Sequence, residues 1–329
     1  MKICYLLEST CLCGGVKVVF RQAEALTKMG HTVTVISDEP YPEWFEGNVS
    51  FLRQSPNSPG IGELFDFLIL TTPLLVLFHY AHNYPNKLFH LVQGYEGDIP
   101  EVSHLIDKIE EAYKLPLVKI TVSERLRVKL EEKMPGNYIS IGQGLELELF
   151  FSGPKMCERK TPESIFLIGP ATIKLKQIEL GLNAFAIAKK QKPNLKLIRI
   201  SQIDTRINEE KLVGPIDDYH INISPNELAR IMRNSSGILI SPSGSEEGFG
   251  LPALEAMACS MPTVLTDIPS YKSFSKPVDY AKFVKQGSAK SMAQGIIEIM
   301  DNTFERLRLI KRGLEVASEY SYEKSSKEA

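Results

Sequence analysis

Short apolar runs alternate with stretches whose apolar positions recur every three or four residues, and the alternation continues through both halves of the chain. In the first half, residues 3–7, 32–36, 67–70, 89–92, 118–122 and 138–141 read as strands. Between the first two, Val16, Val19, Phe20, Ala23, Leu26 and Met29 repeat at helical spacing, and Gly30 stands where a helix stops. Strand, helix, strand in this order predicts a parallel sheet covered on both faces. Proline and charge gather over residues 152–162. The rhythm then restarts, with strands expected at 164–169, 195–200, 237–241 and 262–266, a helix at 225–233, and terminal helices over 288–323. The expected class is therefore α/β, with two Rossmann-like, doubly wound domains over residues 1–152 and 153–303 and a cleft between them. Residues 304–329 form a last helical segment.

Composition narrows this picture. A chain of 329 residues with 43% hydrophobic content suffices for two cores, and a net charge of −2 supplies no global basic field for nucleic acid. No stretch reaches the roughly 18 to 20 apolar residues of a membrane span. The opening apolar run is too short for a signal peptide. Five cysteines, at 4, 11, 13, 157 and 259, form no CxxC pair, and their odd number does not suit a disulfide framework, so a reducing cytoplasm is the expected setting.

The densest chemistry lies between residues 241 and 255, Ser-Pro-Ser-Gly-Ser-Glu-Glu-Gly-Phe-Gly-Leu-Pro-Ala-Leu-Glu. A buried strand precedes it, Pro252 suits the first position of a helix, and Gly248 and Gly250 let backbone amides approach an anion. Glu247 in the turn and Glu255 one helical turn on are carboxylates placed to hold hydroxyls. Gly14-Gly15 after the first strand offers a second amide turn, readable as an anion site or as a plain tight turn, while Lys17 beside it reads as a solvated side chain. Asp38 follows the second strand as a dinucleotide-binding acid would, but G-x-G-x-x-G is missing.

The segment from Glu247 to Glu255, with Ala256-Met-Ala258 and Pro262-Thr-Val264 after it, resembles the glutamate-pair motif of the retaining glycosyltransferases of family four, two-domain enzymes of the GT-B fold. The resemblance implies transfer of a sugar from a nucleoside diphosphate sugar to an acceptor hydroxyl, without metal or cofactor, in polysaccharide or glycolipid synthesis. It implies Glu247 beside the donor sugar as the catalytic carboxylate, Glu255 on the ribose, and Gly248, Phe249, Gly250 and Leu251 around the diphosphate. It also implies a role for Lys176, and for Gly14 and Gly15, on the donor side, and a last helix that crosses back to the first domain. Two departures stand out. Pro170 occupies the place of an arginine that neutralises the leaving diphosphate, and Ser260 replaces a glycine, which its small size makes tolerable.

On the acceptor side the family places a histidine at a strand end. Here His90 falls within the strand, where it reads as a packed core residue or a site residue. Gln93, Tyr95 and Glu96 take the better position, with Glu96 open to either an acceptor hydroxyl or solvent. The basic residues 125, 127, 129 and 133 read as a solvated helix face or as a peripheral contact with anionic lipid. The expected partners are thus a nucleotide-sugar donor and a glycan or lipid-linked acceptor, with no nucleic acid. A non-catalytic sugar-nucleotide-binding subunit and a GT-B sugar-nucleotide epimerase are the alternative readings.

Overall fold

The computed structural model describes residues 1–82, 85–153 and 161–323. The described residues form two compact units, Met1–Gly144 with residues 321–323, and those between Leu145 and Tyr320. In the first unit β1 (Lys2–Leu6), β2 (Thr32–Ser37), β3 (Ser50–Arg53), β4 (Phe67–Leu70), β5 (Leu88–Val92), β6 (Val118–Thr121) and β7 (Asn137–Ser140) form one sheet in the order 3-2-1-4-5-6-7. All pairs are parallel, as in Leu6 opposite both Ile36 and Leu70. In the second unit β8 (Ser164–Ile168), β9 (Lys196–Ser201), β10 (Asp218–Ile221), β11 (Gly237–Ser241), β12 (Thr263–Thr266) and β13 (Lys282–Val284) repeat the plan in the order 10-9-8-11-12-13.

Each sheet is buried on both faces, which explains why its strands are continuous apolar runs. Along β1, Ile3 and Tyr5 enter one core while Cys4 and Leu6 enter the other. Along β8, Ile165 and Leu167 face one side and Phe166 the other. The strands that the apolar pattern missed, β3, β10 and β13, are all sheet edges, largely exposed or half-buried, where no continuous apolar run is required.

The units divide at Gly144, eight residues ahead of the composition shift, because Phe150 and Leu145 already belong to a core of the second unit. Residues 154–160 of that shift, Cys157 among them, and residues 324–329 lie outside the described residues. The last long helix, Thr303–Ser318, also departs from expectation: it groups with the second unit, where Gly313 packs on Met257, and only the chain from Ser321 joins the first. Among the described residues no helix is long and apolar enough to cross a membrane.

Two local expectations need correction. Lys17 is 6% exposed, since it lies on the inner side of the helix Gly14–Lys28. Ser260 has φ of 60°, so its position calls for the left-handed freedom of glycine rather than for small size; the hydroxyl meets Ser152 Oγ at 2.8 Å.

Candidate active site

In the second unit the strand order reverses between β8 and β11, and ligands of open parallel sheets bind beyond the carboxyl ends of strands at such a switch point. The two loops that leave these strands are tied together by the Gly244 amide, which donates to the Leu175 carbonyl at 2.7 Å. After β8 the chain turns at Gly169, whose φ is 126°, passes Pro170, and makes the short 3-10 helix Lys174–Lys176. After β11 it runs through Ser243 to Glu247.

Glu247 is 7% exposed, and its carboxylate is held on one oxygen. Lys176 Nζ reaches Oε2 at 2.7 Å, and Ser243 Oγ donates to the same atom at 2.9 Å. Ser243 in turn accepts from the Tyr271 hydroxyl at 3.1 Å, its carbonyl accepts from Thr266 Oγ1 at 2.7 Å, and Ser270 Oγ bonds to the Glu247 carbonyl. Burial, then the Glu247 charge, holds the Tyr271 hydroxyl well above its usual titration range, so it remains a proton donor to this network. A side chain constrained at both its carboxylate and its backbone loses little further freedom on meeting a ligand. Lys176 is therefore the partner of Glu247 in the free protein and not a loose surface lysine.

Gly250, with φ of 92°, precedes the helix Leu251–Ala258. Pro252 is its second residue, one later than expected, because Leu251 opens the helix. Pro252 has no N–H and Ala253 returns its own to the Gly250 carbonyl at 3.0 Å. The amides of Gly250 and Leu251 make no hydrogen bond to another described residue, which leaves them as donors for an anion. Glu255 is the fifth residue of this helix and 4% exposed. Gly248 is half-buried in the turn, whereas the Phe249 side chain packs against Phe274 and Tyr320 in the core, so only its backbone faces the turn.

A Cβ at position 250 would lie 2.2 Å from Tyr271 Cε1, and φ is already unfavourable for any other residue. Gly250→Ala is expected to destabilise the second unit by about 1–3 kcal/mol and to distort the turn. Thermal unfolding checks this, and a loss under a few tenths of a kcal/mol would refute it.

The first unit brings together Gly15 and Gln93: the amide of Gln93 donates to the Gly15 carbonyl at 3.0 Å. Gly14 is the first residue of its helix, capped by Cys13 without a side-chain bond. His90 is fully buried, edge-on to Tyr113 at 5.0 Å, and both ring nitrogens lack a hydrogen bond. Burial, aided by the Lys119 charge, lowers its pKa to about 3, so it is a neutral core residue at neutral pH. Glu96 accepts from the Tyr113 hydroxyl at 2.7 Å, which takes up one of its oxygens, and Tyr95 is buried with its hydroxyl unpartnered.

Burial outweighs that hydrogen bond and raises the Glu96 carboxyl to about 7. Between its unfolded value near 4.5 and about 7, the native state holds the extra proton. Stability of the first unit is therefore expected to fall as pH rises across that window. Denaturant titrations from pH 4.5 to 8 of wild type and Glu96→Gln should differ by that component, and parallel profiles would refute it.

Ser243, Ser270 and Tyr271 were not singled out in the sequence. Ser243 has one local signal, its place four residues before Glu247, but Tyr271 has none, since only the packing of its loop on the turn brings it near.

Residues 158–316 match the family described as Glycosyl transferases group 1. An uncharacterized glycosyltransferase of Methanocaldococcus jannaschii is 26% identical over 62% of this chain and 56% of its own. A phosphatidyl-myo-inositol mannosyltransferase of Mycobacterium leprae is 20% identical over 62% and 55%. The chain thus spans little more than half the length of these relatives. Among solved structures, Anabaena HepE in complex with UDP-glucose covers 99% of this chain and 97% of its own at a TM-score of 0.79 and 14% identity. The sucrose-phosphate synthase of Thermosynechococcus elongatus covers 99% and 96% at 0.76 and 16%. At such identities these two establish the architecture, and the family match adds a sequence likeness confined to the second half. The chain thus has two parallel-sheet Rossmann-like domains of GT-B type, and its second half is similar, over residues 158–316, to the glycosyl transferases group 1 family.

Proposed function

We propose that this protein is a retaining glycosyltransferase of family four that moves a sugar, as a hexosyltransferase does, from a nucleoside diphosphate sugar to an acceptor hydroxyl. The observation that carries the reading is the switch-point arrangement in which Glu247, fixed by Lys176 and Ser243, stands three residues before the unengaged amides of Gly250 and Leu251. Those amides and Lys176 neutralise the departing diphosphate, and Glu247 orients the donor sugar and stabilises positive charge as the glycosidic bond breaks. Glu255 takes the donor ribose. The leaving phosphate assists removal of the acceptor proton on the same face, which retains configuration. No metal or cofactor is assigned to the reaction, and polysaccharide or glycolipid synthesis at the cytoplasmic side of a membrane is the setting we favour.

UDP is the nucleotide to test first, since a structural neighbour is a complex with UDP-glucose. Calorimetry with UDP, GDP, ADP and dTDP in EDTA is expected to show binding selective for one nucleotide, and Glu255→Ala should weaken it by about tenfold or more. Absence of binding to all four would overturn the donor site. Pro170, in place of a cation, favours one other reading, a non-catalytic sugar-nucleotide-binding subunit, which would bind the nucleotide and transfer nothing.

A further inference from the structure

The helix Glu124–Lys133 divides its cations between two faces. Arg127 is satisfied within the helix, with Nη2 at 2.6 Å from Glu124 and Nη1 at 2.5 Å from Glu131. Arg125, Lys129 and Lys133 recur every four residues and so form a separate row. Among the described residues their one close counter-ion is Asp98, from the short 3-10 turn Glu96–Asp98 beyond β5: Lys129 bonds to its Oδ2, and Lys133 approaches Oδ1 at 3.6 Å. Arg125 is half-buried and makes no hydrogen bond or ion pair with any described residue. Burial accordingly pulls its guanidinium below its ordinary value, with the Asp98 charge opposing.

Three cations against one carboxylate leave an excess of two positive charges, with Lys129, Lys133 and Asp98 all accessible at 35%, 44% and 22% of their side chains. Of the other acids near this row, Glu132 is exposed, Glu110 pairs with Lys114, and Glu96 is bonded to Tyr113. A second feature points to a ligand. Tyr95 lies under Lys133, whose Nζ is 4.0 Å from the ring centroid, and it is buried, 3% exposed, with a hydroxyl that has no partner among the described residues. That hydroxyl is turned toward the same 3-10 turn, for a Cβ at Gly97 would come within 2.5 Å of it. A half-buried guanidinium with no hydrogen bond or ion pair, and a buried hydroxyl with no acceptor, among the described residues are costly to keep unless something completes them. Both segments follow the carboxyl ends of neighbouring strands, β5 and β6, the edge where open parallel sheets bind ligands.

We propose that Arg125, Lys129 and Lys133, gathered around Asp98, form a binding site for a phosphate ester, the phosphate group of the acceptor. A phosphate carries the charge that the row lacks, offers a guanidinium the bidentate geometry it prefers, and takes over Lys129 from Asp98. The word acceptor rests on the glycosyl-transfer reading, but binding of the phosphate does not.

The test uses the intact protein and two probes, glycerol 3-phosphate followed by calorimetry at low salt, and phosphatidylcholine vesicles with and without phosphatidylglycerol followed by sedimentation. Arg125→Ala with Lys129→Ala should weaken binding of the responsive probe by at least about tenfold. Asp98→Asn, which removes the competing carboxylate, should tighten it several-fold, an opposite sign that mere loss of structure would not produce. A response to glycerol 3-phosphate identifies a soluble ester, and a response only to the anionic vesicles identifies a lipid headgroup; either supports the site. Absence of binding to both probes, an unchanged double variant, or an Asp98→Asn variant that binds no tighter would overturn it. Nucleotide titration of the same variants keeps the readings apart: loss of phosphate binding with UDP binding intact concerns this site alone, and failure of UDP binding concerns the transferase reading alone.

Discussion

Glu247→Gln is expected to reduce sugar transfer, or donor hydrolysis where no acceptor is supplied, by roughly 100- to 1000-fold, the scale of removing one group aimed at a developing charge. The substitution preserves size, and a glutamine oxygen still accepts from Ser243, so the loss isolates the carboxylate charge. Binding of the nucleoside diphosphate should stay level or tighten slightly. In the free protein Lys176 is held at 2.7 Å by Glu247, and a neutral residue there releases the ammonium to the diphosphate. Turnover and binding therefore move independently, which marks an interaction made in the transition state rather than in the ground state. Turnover within a few-fold of wild type would remove Glu247 from the chemistry.

The largest stability effect is expected at Glu209, distant in sequence from the glutamate pair. Arg199 is fully buried in β9, and its guanidinium meets Glu209 through Nε at 2.8 Å and Nη2 at 3.0 Å. Nη1 donates to the carbonyls of Leu167 and Ile200, and Thr205 adds a hydroxyl bond to Glu209 at 2.7 Å. Glu209→Ala strands a buried cation and should cost the second unit about 3–5 kcal/mol. For a unit of this size that is a fall in melting temperature on the order of 10 °C. Replacing Arg199 and Glu209 together by leucine should recover much of the loss, because the stranded charge is then gone. A single-variant loss below about 1 kcal/mol, followed by calorimetry or denaturant, would refute the account.

The same pair shows how chemistry at the switch point differs from what a motif suggests. Pro170 stands where an arginine was anticipated, and Arg199 lies under the same strand ends, since the Gly169 amide and Arg199 Nη1 both use the Ile200 carbonyl. Its fork is already engaged by Glu209 and it is fully buried, so it ties the strand ends together and does not face a diphosphate.

Several features were legible in the residues alone because they rest on local or periodic rules. Central strands buried on two faces must be apolar throughout, so all nine central strands among the described residues could be read directly, with the edge strand β7 besides, and β11, the glutamate turn and the helix bearing Glu255 lie close together along the chain. The other three edge strands, β3, β10 and β13, escaped because half-exposed positions impose no pattern. Charge roles escaped for a different reason: a lysine's partner depends on which loops meet. Only tertiary packing set Lys176 on Glu247, buried Lys17, confined His90 to the core, placed Tyr271 against Gly250, and sorted Arg127 from its neighbours on the helix Glu124–Lys133. Sequence determined the elements and the glutamate turn, since backbone propensity and burial act on near neighbours; structure decided which charges are paired, because pairing joins residues far apart in the chain, 71 positions for Lys176 and Glu247 and 109 for Lys192 and Asp301.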